Sequence, residues 1–85
     1  MALKYIVATS LGREEIYLFD SSILHIHFAT SMRIPRERIV SAGFVSGSGG
    51  DGPVCHGEST SLGVVSRREV DDGLLREKLG QSLAG

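Results

Sequence analysis

Along residues 3–9, Leu3, Tyr5 and Val7 alternate with Lys4, Ile6 and Ala8, and this period of two predicts a β-strand. Ser10, Leu11, Gly12 and Arg13 read as a turn in which Gly12 is free to take a positive φ. A β-branched and aromatic run follows at 15–19, so residues 3–19 form an expected antiparallel hairpin. Both faces of its second half are apolar, with Ile16 and Leu18 on one side and Tyr17 and Phe19 on the other. One face is expected to meet a helix and the other a second chain.

Residues 20–34 carry two conflicting patterns. Asp20, Ser21 and Ser22 all suit a helix N-cap, and Pro35 can stop a helix. Leu24, His25, Ile26, His27 and Phe28 alternate like a strand instead. The helix reading is preferred, with Ile23, His27 and Thr30 on one stripe and Leu24 and Phe28 beside it.

A third strand is expected over 38–46, with Val40, Ala42 and Phe44 on one face. A glycine-rich turn covers 47–53, a fourth strand 54–58, and 59–65 reads as extended or irregular. The second helix opens on a capping box, with Ser66 as N-cap and Glu69 three positions on. Asp71 and Asp72 then lie near its positive end, and Arg76 and Lys78 near its negative end. Val70, Leu74, Leu75 and Leu79 are its expected buried face, and Gly80 can close it. Gly73 costs about 1 kcal/mol against alanine in a helix, which suggests close packing there. The fold class is α+β: a small antiparallel sheet of about four strands with two helices, ordered ββαββα. One domain spans 1–80, with a frayed tail at 81–85.

At 85 residues the chain holds one domain and buries only about 60–65% of the surface it exposes when unfolded. Domains this small often add a disulfide, a metal or a partner subunit. The single cysteine, Cys55, excludes an internal disulfide and fits a reducing compartment. Self-association is the favoured supplement, so a homodimer through a sheet edge or a sheet face is expected. The net charge of −1 removes the basic excess typical of a dedicated nucleic-acid binder. The N-terminal residues lack an apolar core of signal-peptide length. The longest charge-free runs, 21–32 and 39–50, fall short of the roughly 20 residues of a membrane span. A cytoplasmic protein with no membrane partner is the expectation.

Gly47, Gly49 and Gly52 match G-x-G-x-x-G, and Asp71 and Asp72 follow downstream. A dinucleotide fingerprint must open a helix, whereas Pro53, Val54 and Cys55 look extended, so a hairpin turn is the better reading. Cys55, His25, His27 and His56 are the residues able to ligate metal or form a nucleophile–base pair. They lack the paired spacing of a zinc site. On a helix His25 and His27 diverge by about 200°. Neighbouring Cys55 and His56 on a strand point to opposite faces. Cys55 with His25 across the fold stays open, and Cys55, His25 and His56 are the candidate site residues, with no metal or cofactor expected. A structural thiol is the favoured reading. The run Gly57 to Gly63 is not G-x-S-x-G, and its hydroxyls suit turn backbone.

Arg33, Arg36 and Arg38, with Arg67 and Arg68, could form a local patch that holds phosphates or nucleic acid. Glu37 interrupts it and no aromatic residue interleaves for base stacking, so a solvated loop is favoured.

Gly12-Arg13-Glu14-Glu15, Phe19, His25, the run Val40 to Val45, the run Cys55 to Gly63 and Ser66-Arg67 together resemble a family of small bacterial and prophage-associated proteins. The resemblance spans about residues 4–80. It implies no activity, cofactor or partner; it implies that the Ala42-Gly43-Phe44 strand and the stretch 55–62 belong to one feature. The expected role is a non-enzymatic interaction or accessory protein with an unidentified protein partner. A weak phosphate binder is the alternative, and a Cys55-dependent enzyme a further one.

Overall fold

The computed structural model describes residues 3–47 and 52–84. Four strands form one antiparallel sheet: β1 (Leu3–Ser10), β2 (Arg13–Asp20), β3 (Ile39–Gly47) and β4 (Pro53–His56). Their order is β2-β1-β3-β4, so β1 is central and β2 and β4 are the edges. Helix α1 (His25–Ser31) sits between β2 and β3 in sequence, followed by a single 3-10 turn at Arg36–Arg38. After β4 a two-stranded ribbon, β5 (Glu58–Ser59) and β6 (Val64–Val65), leads into α2 (Arg68–Ala84). The α+β class and the ββαββα order therefore hold, with the ribbon added inside the stretch expected to be irregular.

The sheet is covered on both faces. Ile6, Ala8, Phe19, Ile39 and Ala42 pack against Ala29 of α1, Ile34 and the ribbon's Leu62. Tyr5, Val7, Ile16, Val45 and Cys55 pack against Leu75 of α2 on the other side. Burying a leucine such as Leu75 in this way is worth about 1.5–3 kcal/mol. With core on each side, Tyr5 through Ala8 of β1 are all buried. The second apolar face of β2 thus meets α2, not a second chain, because Leu18 and Leu74 complete the same cluster as Ile16.

Leu11 at φ 54° and Gly12 at φ 77° make the β1–β2 connection a two-residue type I′ turn, whose twist matches that of the strands it joins. Helix α1 begins later than the capping signals suggest. Asp20 is spent on a turn, accepting the Ser22 amide on Oδ1 at 2.8 Å and the Ile23 amide on its carbonyl at 3.1 Å. The Ile26 amide in the first turn of α1 instead donates to Ser61 Oγ at 3.3 Å, a hydroxyl supplied from the ribbon. The buried residues of α1 are His25 and Ala29; Ile23 and Leu24 precede it on the surface and His27 faces solvent, so the expected stripe is not the one buried. The helix closes before Pro35, in a Schellman arrangement: Ile34 N–H reaches Ala29 O at 2.9 Å and Arg33 N–H reaches Thr30 O at 3.1 Å. Arg33 holds the left-handed position of that motif at φ 57°.

Four expectations for the second helix are corrected. Its entry is closed by Asp71, whose Oδ2 accepts the Arg67 amide at 2.8 Å, and not by the Ser66–Glu69 box. A carboxylate one position further on can reach back in the same way, and it faces the core where Val70 is exposed. Gly73 has no heavy atom within 4 Å of the place where a Cβ would sit, so no close packing explains it. The helix also runs through Gly80 to Ala84, glycine being tolerated at a modest cost, so residues 81–84 of the expected tail are helical. In β3, Ile39 and Ala42 are buried on one side while Val40 is partly exposed, because a register shift at Val7/Ala8 breaks the alternation. The middle of the glycine-rich turn lies outside the described residues; its flanks pair as Gly47 with Pro53, antiparallel strands and not a strand–helix unit.

Candidate functional site

Tyr5 places a phenol in the core of the α2 face, and a hydroxyl there needs a partner. Its oxygen donates to Asp71 Oδ2 at 2.5 Å. Asp71 Oδ1 accepts Ser41 Oγ at 2.9 Å and Arg67 Nη2 at 3.0 Å, and Oδ2 also holds the Arg67 amide. Four donors from β1, β3 and the start of α2 thus converge on one fully buried carboxylate. Arg67 extends the network outward, donating Nη1 and Nη2 to Glu14 of β2 at 3.1 and 2.9 Å. That bidentate contact holds the Glu14 carboxyl below, and the Arg67 guanidinium above, their ordinary ranges. Burial, then the Asp71 contact, pushes the Tyr5 phenol well above 10.0. Neither Tyr5 nor Asp71 stands out in the sequence as more than a strand residue and a helix-end charge.

Cys55 lies beside this network, fully buried under α2. Its amide donates to Asp72 Oδ1 at 2.6 Å. Burial first, and the neighbouring Asp72 next, push the thiol up to about 12. The thiol is thus held protonated and packs against the core under α2.

The histidines occupy the opposite face. His25 is buried, and its Nε2 donates to the Gly43 carbonyl at 2.9 Å, which fixes the tautomer. Phe19 and Phe44 present ring edges to it at 5.5 and 5.7 Å. Burial holds its pKa below the ordinary 6.5. His56 stacks on the other side of Phe44 at 6.1 Å and its Nε2 lies 2.5 Å from Ser46 Oγ. Cys55 and His56 point to opposite faces of β4, as strand geometry requires. Cys55 and His25 are separated by the sheet, so the dyad left open between them does not form; α1 packs on one side and Cys55 sits under the other. The Ser46–His56 pair joins a hydroxyl to a base, and no local pattern announces it because the two residues are diagonal neighbours across β3 and β4. Among the described residues no group of three or more His, Cys, Asp or Glu is placed to hold a metal ion.

Of the five candidate arginines, Arg36, Arg38 and Arg67 make contacts within the fold, while Arg33 and Arg68 are exposed. Arg36 donates Nε to Leu62 O at 2.8 Å, tying the 3-10 turn to the ribbon. Arg38 donates Nε to Thr9 O at 2.6 Å. Arg67 belongs to the Asp71–Glu14 network, and Arg33 is placed by the helix closure it makes. Arg68 is exposed at the start of α2. The hydroxyls of the 57–63 run serve the ribbon: Ser59 Oγ accepts the Leu62 amide at 3.2 Å.

The two sheet edges differ. β4 is short, begins at Pro53, and has its Cys55 amide capped by Asp72, three devices that discourage pairing. β2 is eight residues long, and among the described residues no strand pairs with its outer edge. Among the described residues no helix is long and apolar enough to cross a membrane. No protein-family model, curated protein or solved structure matches the chain.

Proposed function

We propose that this chain is a small non-enzymatic interaction module that joins other protein chains by extending its sheet, and that its partner is a second copy of itself. The outer edge of β2 carries this reading: it is eight residues long and lies across the sheet from the short β4 edge, whose Cys55 amide is capped by Asp72. The side chains with catalytic potential support it, since Cys55, His25 and Asp71 are buried and committed to contacts within the fold. The resemblance to small bacterial and prophage proteins supports an accessory role, and the single thiol supports a reducing cytoplasm. Native mass spectrometry with light scattering at micromolar concentration tests the reading. A dimer is expected, and a monomer throughout that range overturns it.

A further inference from the structure

Which groups on the β2 edge are free follows from the turn that precedes it. A two-residue type I′ hairpin closes on a hydrogen-bonded pair, here Ser10 with Arg13. Backbone groups alternate in direction along a strand, so Arg13, Glu15, Tyr17 and Phe19 bond inward to β1. Glu14, Ile16, Leu18 and Asp20 then point their N–H and C=O outward. The far side of the sheet gives the same parity. The outward Cys55 amide, bonded to Asp72, places Val45 inward toward Leu3, and Lys4 toward Phe19. Asp20 is already used, because its carbonyl accepts the Ile23 amide at 3.1 Å. The free set is Glu14, Ile16 and Leu18, symmetric about Ile16.

We infer that two copies pair β2 against β2 in antiparallel register with the two-fold axis at Ile16, joining their sheets edge to edge. This rests on the self-association reading and deepens it. A two-fold axis perpendicular to the sheet keeps each face on its own side, so only residues of like parity can oppose one another. Three registers are then close at hand. An axis at Glu15 sets Glu15 against the partner's copy of the same carboxylate, and an axis at Tyr17 sets Glu14 against Asp20. Both oppose like charges across the strands, which is unfavourable. The axis at Ile16 opposes Glu14 with Leu18, Glu15 with Tyr17 and Arg13 with Phe19, and satisfies all three free residues by mutual backbone bonds. It also carries the hairpin tip of each copy alongside the segment that follows β2 in the other. Leu11 at that tip is 99% exposed, and Ile23 and Leu24 beyond β2 are 40% and 49% exposed.

Disulfide trapping reads the register. Glu15→Cys and Tyr17→Cys are made as separate single variants, Cys55 being buried and left in place. Under mild oxidation the inference expects a covalent dimer when the two variants are mixed and little from either alone. A covalent dimer from Glu15→Cys alone, or from Tyr17→Cys alone, places the axis elsewhere and overturns the register. A dimer by native mass that no combination traps overturns the β2 edge as the interface while self-association stands. A monomer by native mass overturns both. Leu18→Pro supplies a second measurement: it removes an outward N–H and leaves the β1–β2 ladder intact, so a folded monomer is expected. A folded Leu18→Pro dimer overturns the inference.

Discussion

The Tyr5 hydroxyl meets the Asp71 carboxylate at 2.5 Å, joining the central strand to the first turn of the last helix. Both groups are fully buried, and Asp71 also neutralises part of Arg67. Asp71→Ala leaves the Tyr5 and Ser41 hydroxyls and the Arg67 amide without their acceptor, and should cost about 3–5 kcal/mol. Tyr5→Phe removes one donor of four and should cost about 1–3 kcal/mol. Urea denaturation of the two variants beside the parent checks the order. Equal losses would mean that the Tyr5 bond alone carries the network.

Cys55 sets an alkaline limit on stability. Its folded thiol titrates at about 12 against an ordinary 9.0, so the unfolded chain loses the proton first as pH rises. Its contribution to stability is therefore complete below pH 9 and falls between pH 9 and 12, by at most about 1.4 kcal/mol per pH unit for this proton. The Tyr5 phenol, also raised, adds to the fall above pH 10.0. Cys55→Ala should soften the decline in a urea series from pH 8 to 10.5. In the parent, iodoacetamide should label Cys55 at pH 8 only when denaturant is added.

His25 acts at the other end of the scale. Burial lowers its folded pKa, so the unfolded chain takes up the proton first as pH falls. The neutral imidazole's contribution is complete above 6.5 and is lost as pH falls from there through the lower folded value. Proton NMR should show the folded His25 taking up its proton at lower pH than in the denatured chain. A His25→Phe variant should lose the stability difference between pH 7.5 and 5.5 that the parent shows.

Two glycines give opposite expectations. A Cβ on Gly43 would lie against the His56 carbonyl, which is backbone and cannot step aside. Gly43→Ala should therefore cost about 1–3 kcal/mol and loosen β4. Gly73, inside α2 with open space around it, should gain about 0.5–1 kcal/mol on Gly73→Ala. Thermal melts of the two single variants should move in opposite directions.

Arg33 sits at φ 57°, a position that favours glycine. Arg33→Gly relieves that backbone strain and should raise stability by up to about 1 kcal/mol in a thermal melt. A loss would show that the Arg33 side chain contributes more than its backbone position costs.

The α+β class and the element order are legible because the hairpin of β1 and β2 announces itself by period-two alternation and a turn glycine. The start of α1 is not, because Asp20, Ser21 and Ser22 are strong caps by composition, while Asp20 is spent on a turn and Ser61 serves the helix from 35 residues away. The split of Cys55 from His56 follows from strand geometry. The burial of Asp71 does not, since a helix-end aspartate and a core acceptor have the same local sequence.

By itself the sequence determined the four strands of the main sheet, the second helix, the lone thiol and the near-neutral charge, all properties of neighbouring residues. Only the tertiary structure decided which carboxylate would face Tyr5, which histidine would be sealed between Phe19 and Phe44, and which edge of the sheet would stay open. Those outcomes depend on strand order and on the register between distant segments. Local pattern carries neither, because a hydrogen bond such as Tyr5–Asp71 is written in two places that the chain brings together only on folding.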